Sequence, residues 1–290
     1  MHPPVRCGIP SISQYNSVRS GPLFAQMEQF SNEFLAANSD GLADYARKWS
    51  PDPLHSCFRQ WEYPFVFAKV TEHLARLAAT SRKVVLDAGS GVTFFPYFIA
   101  SAAAGAEVRC CDRDPGFAKL YSQINAASPQ SVEFRTADIR ELPYEDNSID
   151  IIYCISVLEH TGDYRKVIGE FKRALADTGI LVLTFDISLR GEYDIALDEA
   201  GRLLDTLHAH FPVHEAAHSY PLQSVVNSND ILTTDRLRGY DNVDGFSLPP
   251  LYRRALSSAK RLLLEGRWRR WSYNLTCYGD VYRKSDARDD

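Results

Sequence analysis

Two glycines and three acids in this chain stand at spacings suited to holding a nucleoside-like ligand. The run VVLDAGSGVTFFPYFIA (84–100) passes from an apolar strand through Asp87, Gly89, Ser90 and Gly91 into a helix-like stretch. Glycines there let the backbone approach a ligand closely, and the helix start that follows offers free N–H groups. A turn of this kind also fits an ordinary βα connection or a dehydrogenase fingerprint. The fingerprint needs a third glycine at position 94, where this chain has Phe94. Asp112 ends the run EVRCCD (107–112), where a carboxylate can take both hydroxyls of a ribose. Asp114, two residues on, competes for that role. Asp138 ends SVEFRTAD (131–138), placed to accept from an adenine amino group with Ile139 against the ring.

These residues need a scaffold that brings strand ends together. Residues 84–186 alternate short apolar strands with helices: VVLDA, EVRCCD, SVEFRTAD, IDIIYCI (149–155) and GILVLTFD (179–186). Most lack strict alternation, as parallel strands covered on both faces do. Val167, Ile168, Phe171 and Leu175 form one stripe of a helix over 163–176, and repeated βα units of this kind predict a doubly wound parallel sheet. Ahead of them, residues 1–80 read as helical, with amphipathic stretches near 22–37 and 61–78 and a Ser/Pro/Asp break at 49–54. Beyond them come a helix over 199–210, a strand within 211–220, a polar stretch over 221–250 and a basic segment. YNLTCYGDVYRK (273–284) alternates as a closing strand.

Taken in order, LDAGSG, CCD, ADIRELPYEDNSIDIIYCISVLEH and the GILVLTFD strand resemble the class I S-adenosylmethionine-dependent methyltransferases over about 100 residues. The resemblance implies a Rossmann-like, seven-stranded sheet whose last strand, YNLTCYGDVYRK, is antiparallel. It implies S-adenosylmethionine at the C-terminal strand edge, touching Asp87, Gly89, Ser90, Gly91, Asp112, Asp138 and Ile139, with Ser156 covering it. A narrower likeness joins FRQWEYPFVF (58–67) to a segment of bacterial methyltransferases from polysaccharide and specialised-metabolite clusters. That likeness implies that Tyr63, with Glu62 or Arg59, contacts the methionine moiety. An amphipathic helix packing Trp61, Phe65 and Phe67 accounts equally well for the aromatics.

A methyl group on a sulfonium is already activated, so the protein must mainly align an acceptor and exclude water. A hydroxyl acceptor also needs a base. His160, after SVLE at the mouth of the fourth strand, is the first candidate, with Glu159 beside it and Asp186 at the end of the fifth. A loop-orienting role for His160 and a capping role for Asp186 compete with these assignments. His208, His210, His214 and His218 cluster in sequence, but their spacing is poor for a metal and none is expected. LYRRALSSAKRLLLEGRWRRW (251–271) carries seven basic residues, Arg253, Arg254, Lys260, Arg261, Arg267, Arg269 and Arg270. They suit an acidic substrate, a membrane surface or a nucleic acid, or simply an ordinary surface helix.

With 290 residues and a net charge of −5, the chain can bury a full core and is not built to coat nucleic acid through its whole surface. The first residues lack an apolar run of signal-peptide type, and no run spans a bilayer. Six cysteines without CxxC spacing suit a reduced, cytoplasmic protein. The expected organisation is an N-terminal helical cap (1–80) and a methyltransferase core (81–290) with an insertion near 221–270. The expected reaction is methyl transfer from S-adenosylmethionine to a hydroxyl or amine of a small metabolite or sugar. Three other readings are an RNA methyltransferase using segment 251–271, a nucleotide-dependent oxidoreductase or epimerase, and a non-catalytic partner subunit. A homodimer is left open.

Overall fold

The computed structural model describes residues 6–50, 52–56, 58–78, 82–103, 105–191, 195–215, 222, 226–237 and 274–284. Three helices lead the chain: α1 (Ile12–Arg19), α2 (Pro22–Leu42) and α3 (Arg59–Arg76). The sheet then begins with β1 (Lys83–Ala88), α4 (Phe95–Ala102), β2 (Ala106–Asp112), α5 (Phe117–Ala127) and β3 (Glu133–Thr136). It continues through β4 (Ile149–Ile155), α6 (Tyr164–Ala174), β5 (Leu175–Ser188), β6 (Ile195–Ala196), α7 (Leu197–His210) and β7 (Val213–His214). A short α8 (Thr234–Leu237) and β8 (Leu275–Arg283) close the described chain.

Seven strands lie in the order β3-β2-β1-β4-β5-β8-β7, and the two-residue β6 pairs with β5 beside them. The strands β1 to β5 are parallel, and β8 runs antiparallel to β5 from Ile180↔Arg283 to Ser188↔Leu275. This is the doubly wound sheet with an antiparallel last strand expected from the sequence. The strand order reverses between β1 and β4, and a crevice opens at such a switch point, beyond the C-terminal strand ends.

The apolar strands are legible as two interleaved faces. Val85, Ile151 and Val182 pack into one core with α2, α3, α4 and α5; their neighbours Leu86, Ile152, Leu181 and Leu183 pack into the other with α6 and α7. Successive side chains on a strand point to opposite faces, so a strand covered on both sides carries no polar alternation. In α6, Val167, Ile168, Phe171 and Ala174 are buried and Asp163 caps the start by accepting from the Lys166 N–H at 3.2 Å. The fifth strand is longer than 179–186: it begins at Leu175, directly after α6, where Leu175 pairs with Ile149, and the pairing resumes after a register shift at Ile180 and runs to Ser188.

The N-terminal helices are one layer of this structure. Trp61 and Phe65 of α3 stack 4.8 Å apart and cover β8 at Gly279, where a Cβ would fall 2.8 Å from the indole. Any side chain there would push α3 off the sheet. Gly8 exchanges backbone hydrogen bonds with Gly279, and Leu232 donates to the Pro10 carbonyl. The start of the chain is thus tied both to β8 and to residues just before α8. Among the described residues no helix is long and apolar enough to cross a membrane. The basic segment 251–271, most of the 221–270 insertion and His218 lie outside the described residues.

Candidate active site

The turn after β1 is held mainly by main-chain groups. Gly89 and Ser90 both donate to the Cys111 carbonyl of β2, at 2.9 and 3.0 Å, and the Gly91 N–H donates to Asp112 Oδ2 at 3.1 Å. Gly89 and Gly91 sit at φ +81° and +54°, the left-handed region that glycine tolerates. A Cβ on Gly91 would lie 2.9 Å from the Tyr45 hydroxyl. That hydroxyl accepts from the Val92 N–H at 3.2 Å, so the segment between α2 and α3 closes directly onto the turn. Behind it, the Tyr121 hydroxyl donates to the Gly91 carbonyl at 3.0 Å.

The four acids differ in their environments. Asp112 binds two backbone N–H groups, Gly91 through Oδ2 and Asp114 through Oδ1 at 3.2 Å, which fixes its carboxylate at the cavity wall. Asp114 turns its carboxylate to the Gly116 N–H at 2.9 Å, just ahead of α5, so it serves the backbone there. Asp138 accepts from the Arg140 guanidinium through both oxygens, at 2.6 to 3.1 Å, and this ion pair holds its carboxyl down at about 2. Burial does the opposite to Asp87, raising its carboxyl to about 8.

Across the cavity, α3 meets the loop after β4. Ser156 adopts φ +47°; its hydroxyl donates to Glu62 Oε1 at 2.8 Å and accepts from Arg59 Nη1 at 2.5 Å. Arg59 also pairs with Glu62 Oε2, and Glu62 is fully buried. A buried carboxylate is tolerated only when paired in this way. Tyr63 stacks on Phe95, with ring centroids 4.5 Å apart. Glu159 lies in a short 3₁₀ turn, Leu158–His160, and its Oε1 accepts from the Asp186 N–H at 3.1 Å. Burial holds the Glu159 carboxyl well above the usual carboxylate range. Burial and the charge of Arg59 both lower the His160 imidazole, which favours a neutral ring able to accept a proton.

These groups border a cavity of about 590 Å³ at the C-terminal strand edge. Tyr63, Asp87, Gly89, Ser90, Gly91, Asp112, Asp138, Ile139 and Ser156 all line it, as does His160. Glu159 and Asp186 do not line it; they brace the loop that carries His160 from behind. Among the lining residues to which the sequence reading gave no role, five come from the stretch between α2 and α3: Tyr45, Trp49, Ser50, Pro53 and Ser56. Their only signal was the Ser/Pro/Asp break at 49–54 flanked by Tyr45 and Trp49, which reads as a connection between helices. Elsewhere, His208 and His214 stack with centroids 4.1 Å apart. Among the described residues no group of three or more His, Cys, Asp or Glu is placed to hold a metal.

Comparison with known proteins shows what this chain is similar to. Residues 86–183 match the family model described as a methyltransferase domain. A demethylmenaquinone methyltransferase of Deinococcus radiodurans is 31% identical over 109 residues, 38% of this chain and 45% of that protein. The enzyme of the same name from Thermus thermophilus is 29% identical over 114 residues, 39% of this chain and 52% of its own. The chain thus spans about half the length of these curated relatives. Among solved structures, the PH0226 protein of Pyrococcus horikoshii aligns over 83% of this chain and 99% of its own, at 16% identity and a TM-score of 0.47. From Leu86 in β1 to Leu183 in β5, this chain is thus similar to methyltransferase domains.

Proposed function

We propose that the protein binds S-adenosylmethionine in the cavity beyond β1, β2 and β4 and transfers its methyl group to a hydroxyl or amine of a small metabolite or sugar. The observation that carries this reading is the convergence of every expected cofactor residue on one wall-to-wall cavity. The residues suit the cofactor's chemistry. Asp112 is pre-oriented by two N–H donors and retains lone pairs for a ribose diol. The Gly89–Gly91 turn leaves a cradle in which any Cβ on Gly91 would meet Tyr45. Asp87 and Tyr63 line the end of the cavity assigned to the amino-acid moiety.

When bound, the cofactor supplies a methyl group already activated on sulfonium. The chain's own residues then have three tasks. Asp87 provides the carboxylate that a cationic ligand ionises. Arg59, Glu62 and Ser156 hold the loop after β4 against α3, so that His160 faces the cavity at a fixed place. His160, kept neutral, takes the proton of a hydroxyl acceptor. Tyr45, Trp49, Pro53 and neighbouring side chains form the opposite wall.

The test is methyl transfer from labelled cofactor to a panel of sugars, amines and hydroxylated metabolites, including demethylmenaquinone, the substrate in the names of two relatives. Wild type should label one class, and His160→Ala should lower kcat for a hydroxyl acceptor by about 100-fold while cofactor affinity stays unchanged. A ring-carbon product would overturn the hydroxyl-or-amine assignment and leave the domain assignment intact.

A further inference from the structure

The segment between α2 and α3 is fastened at both ends by unlike devices. At its start the Tyr45 hydroxyl accepts from the Val92 N–H. Near its end His55 is bracketed by two carboxylates: Nδ1 meets Asp52 Oδ2 at 2.5 Å and Nε2 meets Glu28 Oε1 of α2 at 3.0 Å. The His55 side chain is only 14% exposed, and Leu54 beside it is fully buried. Asp52 Oδ1 also accepts from the His55 N–H, at 3.3 Å, and closes the local turn. Trp49, Ser50, Pro53 and Ser56, all on this segment, line the cavity. One imidazole therefore ties that wall of the cavity to a helix of the cap. Neither turn formation nor core packing requires a histidine with a carboxylate on each nitrogen.

Resting on the functional reading above, we propose that His55 is a positioning residue whose bracket between Asp52 and Glu28 holds Trp49, Ser50, Pro53 and Ser56 at the cavity and sets how long the cofactor stays bound. An imidazole that donates from both nitrogens must be protonated. The hydrogen bond to Asp52 is the main influence that raises its pKa to about 9, and Glu28 adds to it against the opposing effect of burial. The charged groups facing the ring are Asp52 on its own segment and Glu28 on α2. The raised folded value means that the bracket is complete below the ordinary histidine pKa and is lost as pH rises through about 9. Once neutral, the ring can donate to only one carboxylate, and the tie to α2 or to Asp52 is released.

Two readouts on the whole protein test this. The first is amide hydrogen exchange of residues 45–56 without ligand at pH 7, comparing wild type, His55→Gln and Glu28→Gln. The second is the dissociation rate of S-adenosylmethionine in a chase experiment between pH 7 and 10. The account predicts exchange about tenfold faster in His55→Gln and a smaller increase in Glu28→Gln, as expected for losing one or two charge-assisted hydrogen bonds. It also predicts a wild-type dissociation rate that climbs about tenfold through pH 9, and a fast, flat profile in His55→Gln. Equal exchange and equal pH profiles in wild type and His55→Gln would overturn it. Accelerated exchange in the variant with no cofactor binding by wild type would instead sink the functional reading and leave the clamp standing. Glu28→Gln keeps the Asp52–His55 pair, so it reports even if His55→Gln fails to fold.

Discussion

The two walls of the cavity are built on different principles. One wall is the set of strand ends: the turn Asp87–Gly91, Asp112 and Asp138, each placed by the strand that precedes it and fixed by nearby backbone N–H groups. The other wall is α3 with the segment before it, and its contacts are side-chain bonds across long stretches of chain. Arg59 reaches Ser156, 97 residues away, and Tyr45 reaches Val92, 47 residues away. A wall made of backbone geometry binds any ligand with the matching backbone-facing groups. A wall made of side chains can change without disturbing the sheet, and it is where selectivity for an acceptor is most readily built.

The largest effect should come from unpairing the side-chain wall. Arg59→Met leaves Glu62 buried without its guanidinium, and unfolding titrations should show a loss of about 3 kcal/mol, the usual cost of stranding one member of a buried pair. The double change Arg59→Met with Glu62→Gln should recover much of it. Unaltered stability in the single variant would mean that water reaches Glu62 and that this wall is looser than its contacts indicate.

On the backbone wall the corresponding change is Asp112→Ala. It removes the proposed acceptor for a ribose diol and frees the Gly91 and Asp114 N–H groups at once. Cofactor affinity should fall about 100-fold, as for two charge-assisted hydrogen bonds, with the fold intact by circular dichroism. Asp114→Ala should cost far less affinity, since its carboxylate serves Gly116. If the two variants weaken binding equally, the assignment of the ribose site to Asp112 is wrong. The smallest effect joins the two walls. Tyr45→Phe deletes one hydrogen bond, to Val92, and keeps the ring against Phe117, so affinity should drop about fivefold.

The same division decides what could be read from the sequence. Val84 to Gly91, Cys111-Asp112 and Ala137 to Ile139 are contiguous pieces whose chemistry and strand position coincide, and all of them reach the cavity. Strand ends are less legible, because pairing and apolar run need not coincide: β5 extends back to Leu175, while β3 is confined to Glu133–Thr136. Glu159 and Asp186 are acids at the right strand ends, yet neither lines the cavity, and the Glu159 carboxylate is turned to the Asp186 N–H. No local pattern shows that, because it depends on how the 3₁₀ turn after β4 rotates. Tyr45 and Trp49 were invisible for the same reason. An aromatic pair between two helices looks alike whether it faces solvent, core or ligand.

The central claim is that the cavity takes S-adenosylmethionine against Asp87 and Asp112. Calorimetric titration of the purified protein at pH 7, in two buffers of different ionisation heat, tests it most directly. Burial raises the Asp87 carboxyl to about 8, so binding of a cationic ligand beside it is expected to drive off a proton. The account predicts one saturable site per chain with release of a proton, and no such release in Asp87→Asn. A folded protein that gives no saturable heat with S-adenosylmethionine would contradict it.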